Sequence, residues 1–138
     1  MVAAAILVLT GMIVPIARFG ITRQKEMELK EALRTMRSAV DDYKRLSDQG
    51  QIPVELDTDG YPKTLEKLVE GVDLVGTIKK KKRFLRKVPI DPMTGKAEWG
   101  LRSMQDDPTS DSFGGQSVFD VYSKSEGTGL DGTKYKDW

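Results

Sequence analysis

The sequence contains no cysteine and no histidine. The first absence excludes disulfides, thiolate zinc sites and a cysteine nucleophile. The second removes the commonest general base and the commonest transition-metal ligand. There is also no phosphate-binding glycine loop and no triad pattern. Scattered carboxylates such as Asp106 and Asp107 are acid–base groups without a machinery around them, so the chain is not expected to be an enzyme. A charge bias is missing too: Lys+Arg 22 against Asp+Glu 21 leaves a net +1, and the chain as a whole is not tuned to polyanions. At 138 residues one domain is expected. Without disulfides, an exported fold of this size depends on its core, a metal ion or neighbouring subunits.

What the chain does have is a long apolar start. From Met1 to Phe19 no charged side chain precedes Arg18, and only Thr10, Gly11 and Pro15 interrupt the run. A membrane span takes about 20 apolar residues, so this stretch is slightly short of one. It is apolar on all sides, unlike the amphipathic surface helix of a small domain. A cleaved signal peptide would open on basic residues and end at a small-residue cleavage site. Here no basic residue precedes the run, and helical sequence continues through it. A plain single-pass anchor is a second reading. A third is a helix that sits first in a membrane and later in a polymer core.

Past Arg18 the apolar residues fall three and four apart: Leu29, Ala32, Leu33, Met36, Ala39, Val40, Tyr43 and Leu46. Lys30, Glu31, Arg34, Arg37, Asp41, Asp42 and Lys44 take the other faces. The spacing predicts one helix from Met1 to about Asp48, roughly 70 Å long, stopped by Gly50. Pro15 removes a backbone donor and Gly11 weakens the turn before it, so a kink or local melting is expected between them. Residues 1–23 therefore read as the apolar helix, and residues 24–138 as its amphipathic half plus a head.

In the head, Asp57-Thr58-Asp59-Gly60 reads as a turn, because the later ligand positions of a calcium-binding EF-hand do not follow it. Thr64 caps a short helix through Glu70, with Leu65, Leu68 and Val69 as its buried stripe and Gly71 as its end. Lys79 to Lys87 is the most basic stretch. It carries Phe84 as its only aromatic and no nucleic-acid fold signature. A solvated face is the plain reading. Lys80, Lys81, Arg83 and Arg86 are then candidates to meet acidic surface on a neighbouring subunit, drawn from Asp106, Asp107, Asp111, Asp120, Glu126, Asp131 and Asp137. Val88 to Gly95 is a proline-set turn. Glu98 to Arg102 and Val118 to Tyr122 read as strands, the latter with Val118, Asp120 and Tyr122 on one face and Phe119 and Val121 on the other. Ser103 to Ser117 and Ser123 to Trp138 are polar loops, with Trp138 as a plug that ties the tail to the head. The expected architecture is α+β, with a long protruding N-terminal helix packed on a small antiparallel sheet of about three strands and an ordered C-terminal loop.

Several of these residues together resemble a known family. The apolar helix with a mid-run proline, its amphipathic continuation, Tyr61-Pro62 and the Leu65 to Val69 helix resemble the type IV pilin superfamily. Arg83-Phe84-Leu85-Arg86-Lys87-Val88-Pro89-Ile90-Asp91-Pro92, then Trp99-Gly100, Phe119-Asp120-Val121-Tyr122-Ser123 and the Gly/Asp loop ending in Trp138 narrow this. They resemble the major pseudopilins of type II secretion systems, over essentially the whole chain. The resemblance implies a single-pass protein of the inner membrane that polymerises into a helical filament, periplasmic or extracellular, with Ala5, Leu9, Gly11 and Pro15 in its core. It implies as partners copies of the same subunit, other pseudopilins, the inner-membrane assembly platform, membrane lipid before assembly, and no nucleic acid. It also implies Ca2+ in the C-terminal loop, through Ser123, Ser125, Asp131 and, as an extra carboxylate, Glu126. The family's processing glycine, methylated phenylalanine and early glutamate cannot be mapped from Met1 onward: either residues precede it or the start differs from the family's. Two other functions are set beside this one: a pilin for adhesion or motility, against which the lack of cysteine speaks, and an anchored module binding DNA through Lys79 to Lys87.

Overall fold

A computed structural model describes residues 2–76 and 80–138, with side chains described from Arg18 onward. Its first element, α1, runs Val2–Asp48. Ala5, Leu9, Gly11 and Pro15 lie outside the described side chains; the backbone is helical from Gly11 through Pro15, so the local melting expected there is not seen. Among the described residues no helix is long and apolar enough to cross a membrane.

From Leu29 on, one face of α1 is covered. Leu29, Leu33, Met36, Val40 and Tyr43 are fully or almost fully buried, and Ala32 and Ala39 bring the backbone close to the head between them. The uncovered faces are laced by exposed pairs one turn apart: Arg34 with Glu31 at 2.9 Å, Arg45 with Asp42 at 3.0 Å, and Lys44 with Asp48 at 3.0 Å. Such pairs support a helix by only about 0.2–0.5 kcal/mol each, so packing of the apolar face dominates. The helix stops where Gly50 takes φ 71°. Gln51 N–H donates to the Leu46 carbonyl at 2.9 Å and Gly50 N–H to Ser47 at 3.1 Å, the paired bonds of a Schellman end.

The short helix α2, Leu65–Glu70, is capped as its sequence requires. Thr64 Oγ1 accepts from the Lys67 N–H at 3.2 Å, and Leu65 and Leu68 are buried against α1. Gly71 ends it at φ 86°, where an added Cβ would meet the Lys82 carbonyl at 2.7 Å. That close approach belongs to the first ladder, β1 (Val72–Asp73) antiparallel to β2 (Lys81–Lys82). The second ladder pairs β3 (Gly100–Arg102) with β4 (Asp120–Tyr122), in the register Gly100↔Tyr122, Leu101↔Val121 and Arg102↔Asp120.

The single sheet of about three strands is thus replaced by two separate two-stranded ladders. The basic stretch pairs with the exit of α2 instead of adding to β3 and β4. The strand at Val118 is also shorter than its sequence suggests, because Val118 N–H is taken by the Pro62 carbonyl at 2.7 Å. The expected alternation fails for the same reason. Val118, Val121 and Tyr122 are all buried, whereas Phe119 is exposed and meets the Tyr61 ring edge-on with centroids 5.3 Å apart. Tyr122 lies over Gly100, where any Cβ would collide with its ring, and beneath the Arg102 guanidinium, 4.0 Å from the ring centroid. The α+β class with one long N-terminal helix stands.

Candidate functional site: the C-terminal loop and its groove

The loop after β4 owes its shape to three buried or half-buried charges. The first is Asp91, fully buried in the proline-set turn. Its Oδ1 accepts from Met93 N–H at 2.8 Å and its Oδ2 from the Ser123 hydroxyl at 2.6 Å. Trp99 Nε1 holds the same turn by donating to the Pro89 carbonyl at 2.8 Å. The turn thereby becomes the floor on which the loop begins.

The second charge is Glu26, only 9% exposed on the face of α1 that also carries Leu29 and Leu33. Its Oε1 accepts from Leu130 N–H at 2.8 Å and from the Tyr135 hydroxyl at 2.9 Å. A buried carboxylate needs such donors, since an unpartnered one would cost several kcal/mol. Burial, together with the hydrogen bond and charge of Glu26, pushes the Tyr135 phenol up to about 12. This latch fastens both arms of the loop to the helix.

The third is Arg37. Its guanidinium donates to Asp120 Oδ1 at 2.7 Å, to the Val121 carbonyl at 3.0 Å and to the Trp138 main-chain oxygen at 2.7 Å. Trp138 stacks edge-on against Tyr135 with centroids 5.0 Å apart, and its Nε1 donates to Thr133 Oγ1 at 2.6 Å. The expected plug at Trp138 is found. The sequence signal for its clamp was weaker: Glu26 lies three residues before Leu29, so a charge interrupts the apolar stripe, and Arg37 lies four after Leu33 at its edge.

The four residues named for calcium are placed as follows. The Ser123 hydroxyl is committed to Asp91, and Ser125 Oγ accepts from Gly127 N–H at 3.1 Å. Asp131 Oδ1 accepts from the Thr133 N–H at 2.9 Å and its hydroxyl at 2.6 Å, and these bonds hold its carboxyl below the usual range. Ser123 and Glu126 line a cavity of about 240 Å³ with Asp111, Tyr122, Lys124 and Lys136, while Asp131 lines two others beside Lys30. The donors are hard oxygens of the kind calcium takes. Ser123 and Glu126 share one of these cavities, and Asp131 lines the other two. Among the described residues no three carboxylates gather.

The basic stretch lies along β2 and the exit of α2. Lys80, Lys81, Arg83 and Arg86 are all exposed, and none forms an ion pair among the described residues. Arg83 has a structural task, donating to the Val69 carbonyl at 2.7 Å. Lys79 lies outside the described residues.

Between α1 and the loop runs an open groove of about 970 Å³, with Leu33 and Trp138 as its apolar part. Five of its lining side chains are cationic and three are carboxylates. Compared with known protein families, with curated proteins and with solved structures, the chain finds no match in any of the three.

Proposed function

We propose that this protein is a structural subunit of a helical filament, of the kind that type II secretion systems assemble to drive export across the outer membrane. One observation carries the reading. Among the residues whose side chains are described, the head covers one face of α1 from Glu26 onward, while the element continues back to Val2 through a sequence with no charged side chain before Arg18. Such a stretch stays out of water either in lipid or in a bundle of its copies, so leaving the membrane need not expose it. The protein would then begin as a single-pass component of the inner membrane and end in a periplasmic or extracellular polymer. Its partners would be copies of itself, related minor subunits and the assembly platform that extracts them.

The resemblance adds calcium at the C-terminal loop, through Ser123, Ser125, Glu126 and Asp131. The Glu26 latch closes the same loop with protein groups, and the two accounts differ in what a chelator does. The experiment is electron microscopy of material sheared from cells expressing the full-length gene, with and without chelator. Thin filaments of this protein support the polymer. Their loss with chelator supports calcium as well, and filaments indifferent to chelator leave the latch as the fastening. Protein retained in the membrane without filaments would overturn the reading in favour of a plain anchored module.

A further inference from the structure

We propose that the groove between α1 and the C-terminal loop receives the turn around Leu56 of a second copy of this chain; this rests on the polymer reading above and names one of its contacts. Leu56 is 87% exposed, the most exposed of the large apolar side chains among the described residues, with Val54 nearby at 58%. Burying such a pair would recover about 25 cal/mol for each Å² of apolar area removed from water. Two carboxylates flank Leu56. Glu55 is paired with Lys67 at 3.2 Å, and Asp57 projects from backbone at φ 64°, the left-handed region that a non-glycine residue seldom occupies. The turn does not swing freely, because Thr58 is buried with its hydroxyl on the Glu55 carbonyl at 2.8 Å, and Lys44 Nζ donates to the Asp59 carbonyl at 2.6 Å. It is a fixed knob, apolar at its tip and acidic at its base.

The groove has the complementary character. Half-buried Trp138 supplies apolar surface, and Lys30 and Lys134 supply positive charge among five cations against three carboxylates. Neither lysine is ion-paired among the described residues, and Lys30 lies 4.7 Å from the Trp138 ring centroid. Knob and groove occupy different places on one molecule. A contact between them is therefore heterologous, and repeated without closure it produces an open-ended polymer. The knob stands level with Lys44, roughly ten residues of α1 beyond the middle of the groove, so parallel copies would be staggered by roughly 15 Å. That is shorter than the apolar run of about 25 Å at the same rise per residue, so neighbouring runs still overlap.

The absence of native cysteine makes the test clean. Leu56→Cys and Lys134→Cys are introduced together in the full-length chain, expressed in cells, oxidised, and analysed by denaturing gel beside electron microscopy of the same preparation. The expected result is a ladder of disulfide-linked dimers, trimers and higher species from the double variant, and nothing above a dimer from either single variant. Asp57→Lys in the double background is expected to abolish the ladder, and adding Lys30→Glu to bring it back. Filaments without a ladder overturn the knob-in-groove contact and leave the polymer standing. A ladder without filaments upholds the contact and overturns the filament. Neither filaments nor a ladder overturns both.

Discussion

The Glu26 latch predicts how the C-terminal loop responds to loss of one side chain. Glu26→Ala removes the acceptor of both the Leu130 N–H and the Tyr135 hydroxyl, bonds of 2.8 and 2.9 Å. Each bond to a charged group is worth about 1.5–3 kcal/mol. The two share one oxygen, and removing the carboxylate also ends its own burial cost, so they do not sum. A net loss of about 2–4 kcal/mol is expected, confined to the loop and its seat on α1. Glu26→Gln retains an amide oxygen as acceptor and loses only the charge, for about 1 kcal/mol. Urea unfolding of the full-length chain in detergent, followed by tryptophan fluorescence, measures the difference. Limited proteolysis after Lys134 and Lys136 localises it. Equal midpoints for the alanine and glutamine variants, or an unchanged cleavage rate, would refute the latch. So would calcium restoring the alanine variant fully, since the metal would then be the fastening.

Four further predictions follow from the same contacts. Tyr135 should remain protonated in the fold to about pH 12, against about 10 for a free phenol. Its contribution is therefore fully present below about pH 10 and lost as pH rises through about 12, and Tyr135→Phe should flatten stability across that window in an alkaline titration. Ser123→Ala should cost about 1.5–3 kcal/mol by leaving one oxygen of buried Asp91 without its 2.6 Å donor, equally with calcium and with chelator; a loss seen only in calcium would make Ser123 a ligand instead. Gly100→Ala should destabilise by about 1–3 kcal/mol, because the new Cβ enters the space of the Tyr122 ring, and an unaltered unfolding midpoint would contradict that packing. Asp106→Ala should speed proteolysis between residues 103 and 117, because one Asp106 oxygen accepts from both Ser103 N–H and Gly114 N–H, at 2.8 and 3.0 Å, and an unchanged cleavage rate would contradict that role.

Which parts of this molecule could be read from its sequence follows from the range of the forces involved. The helix to Asp48, the Thr64 cap and the stop at Gly71 are local: spacing of three and four, a hydroxyl before the first turn, a glycine after the last. Leu29 to Tyr43 are buried as their period requires, because an apolar face has to be covered by something. The sheet was not legible in the same way. Whether Lys81 and Lys82 pair with Val72 and Asp73 or with β3 depends on partners distant in the chain, and strands of two or three residues leave no periodicity to read. Phe119 shows the limit. Alternation puts it in the core with Val121, but Val118 N–H bonds Pro62 outside the ladder and the Phe119 ring lies exposed against Tyr61. In the candidate site, the acids and hydroxyls of the loop were visible as residue types, but their partners were not. Ser123 turns to Asp91 and Asp131 to Thr133, both satisfied by side chains nearby in the fold. Glu26 was legible in principle as a charge on an apolar stripe. Tyr135, which gives that charge its reason, lies 109 positions away.

The central claim is that the head exists to hold one face of α1 while the apolar run packs against copies of itself. Its most direct test is a helical reconstruction, by electron cryomicroscopy, of filaments sheared from cells making the full-length protein. The account predicts apolar runs bundled at the axis, heads outside, and the Leu29 to Tyr43 face still covered by its own head. A filament held together by heads with the runs left in lipid, or heads detached from that face, would contradict it.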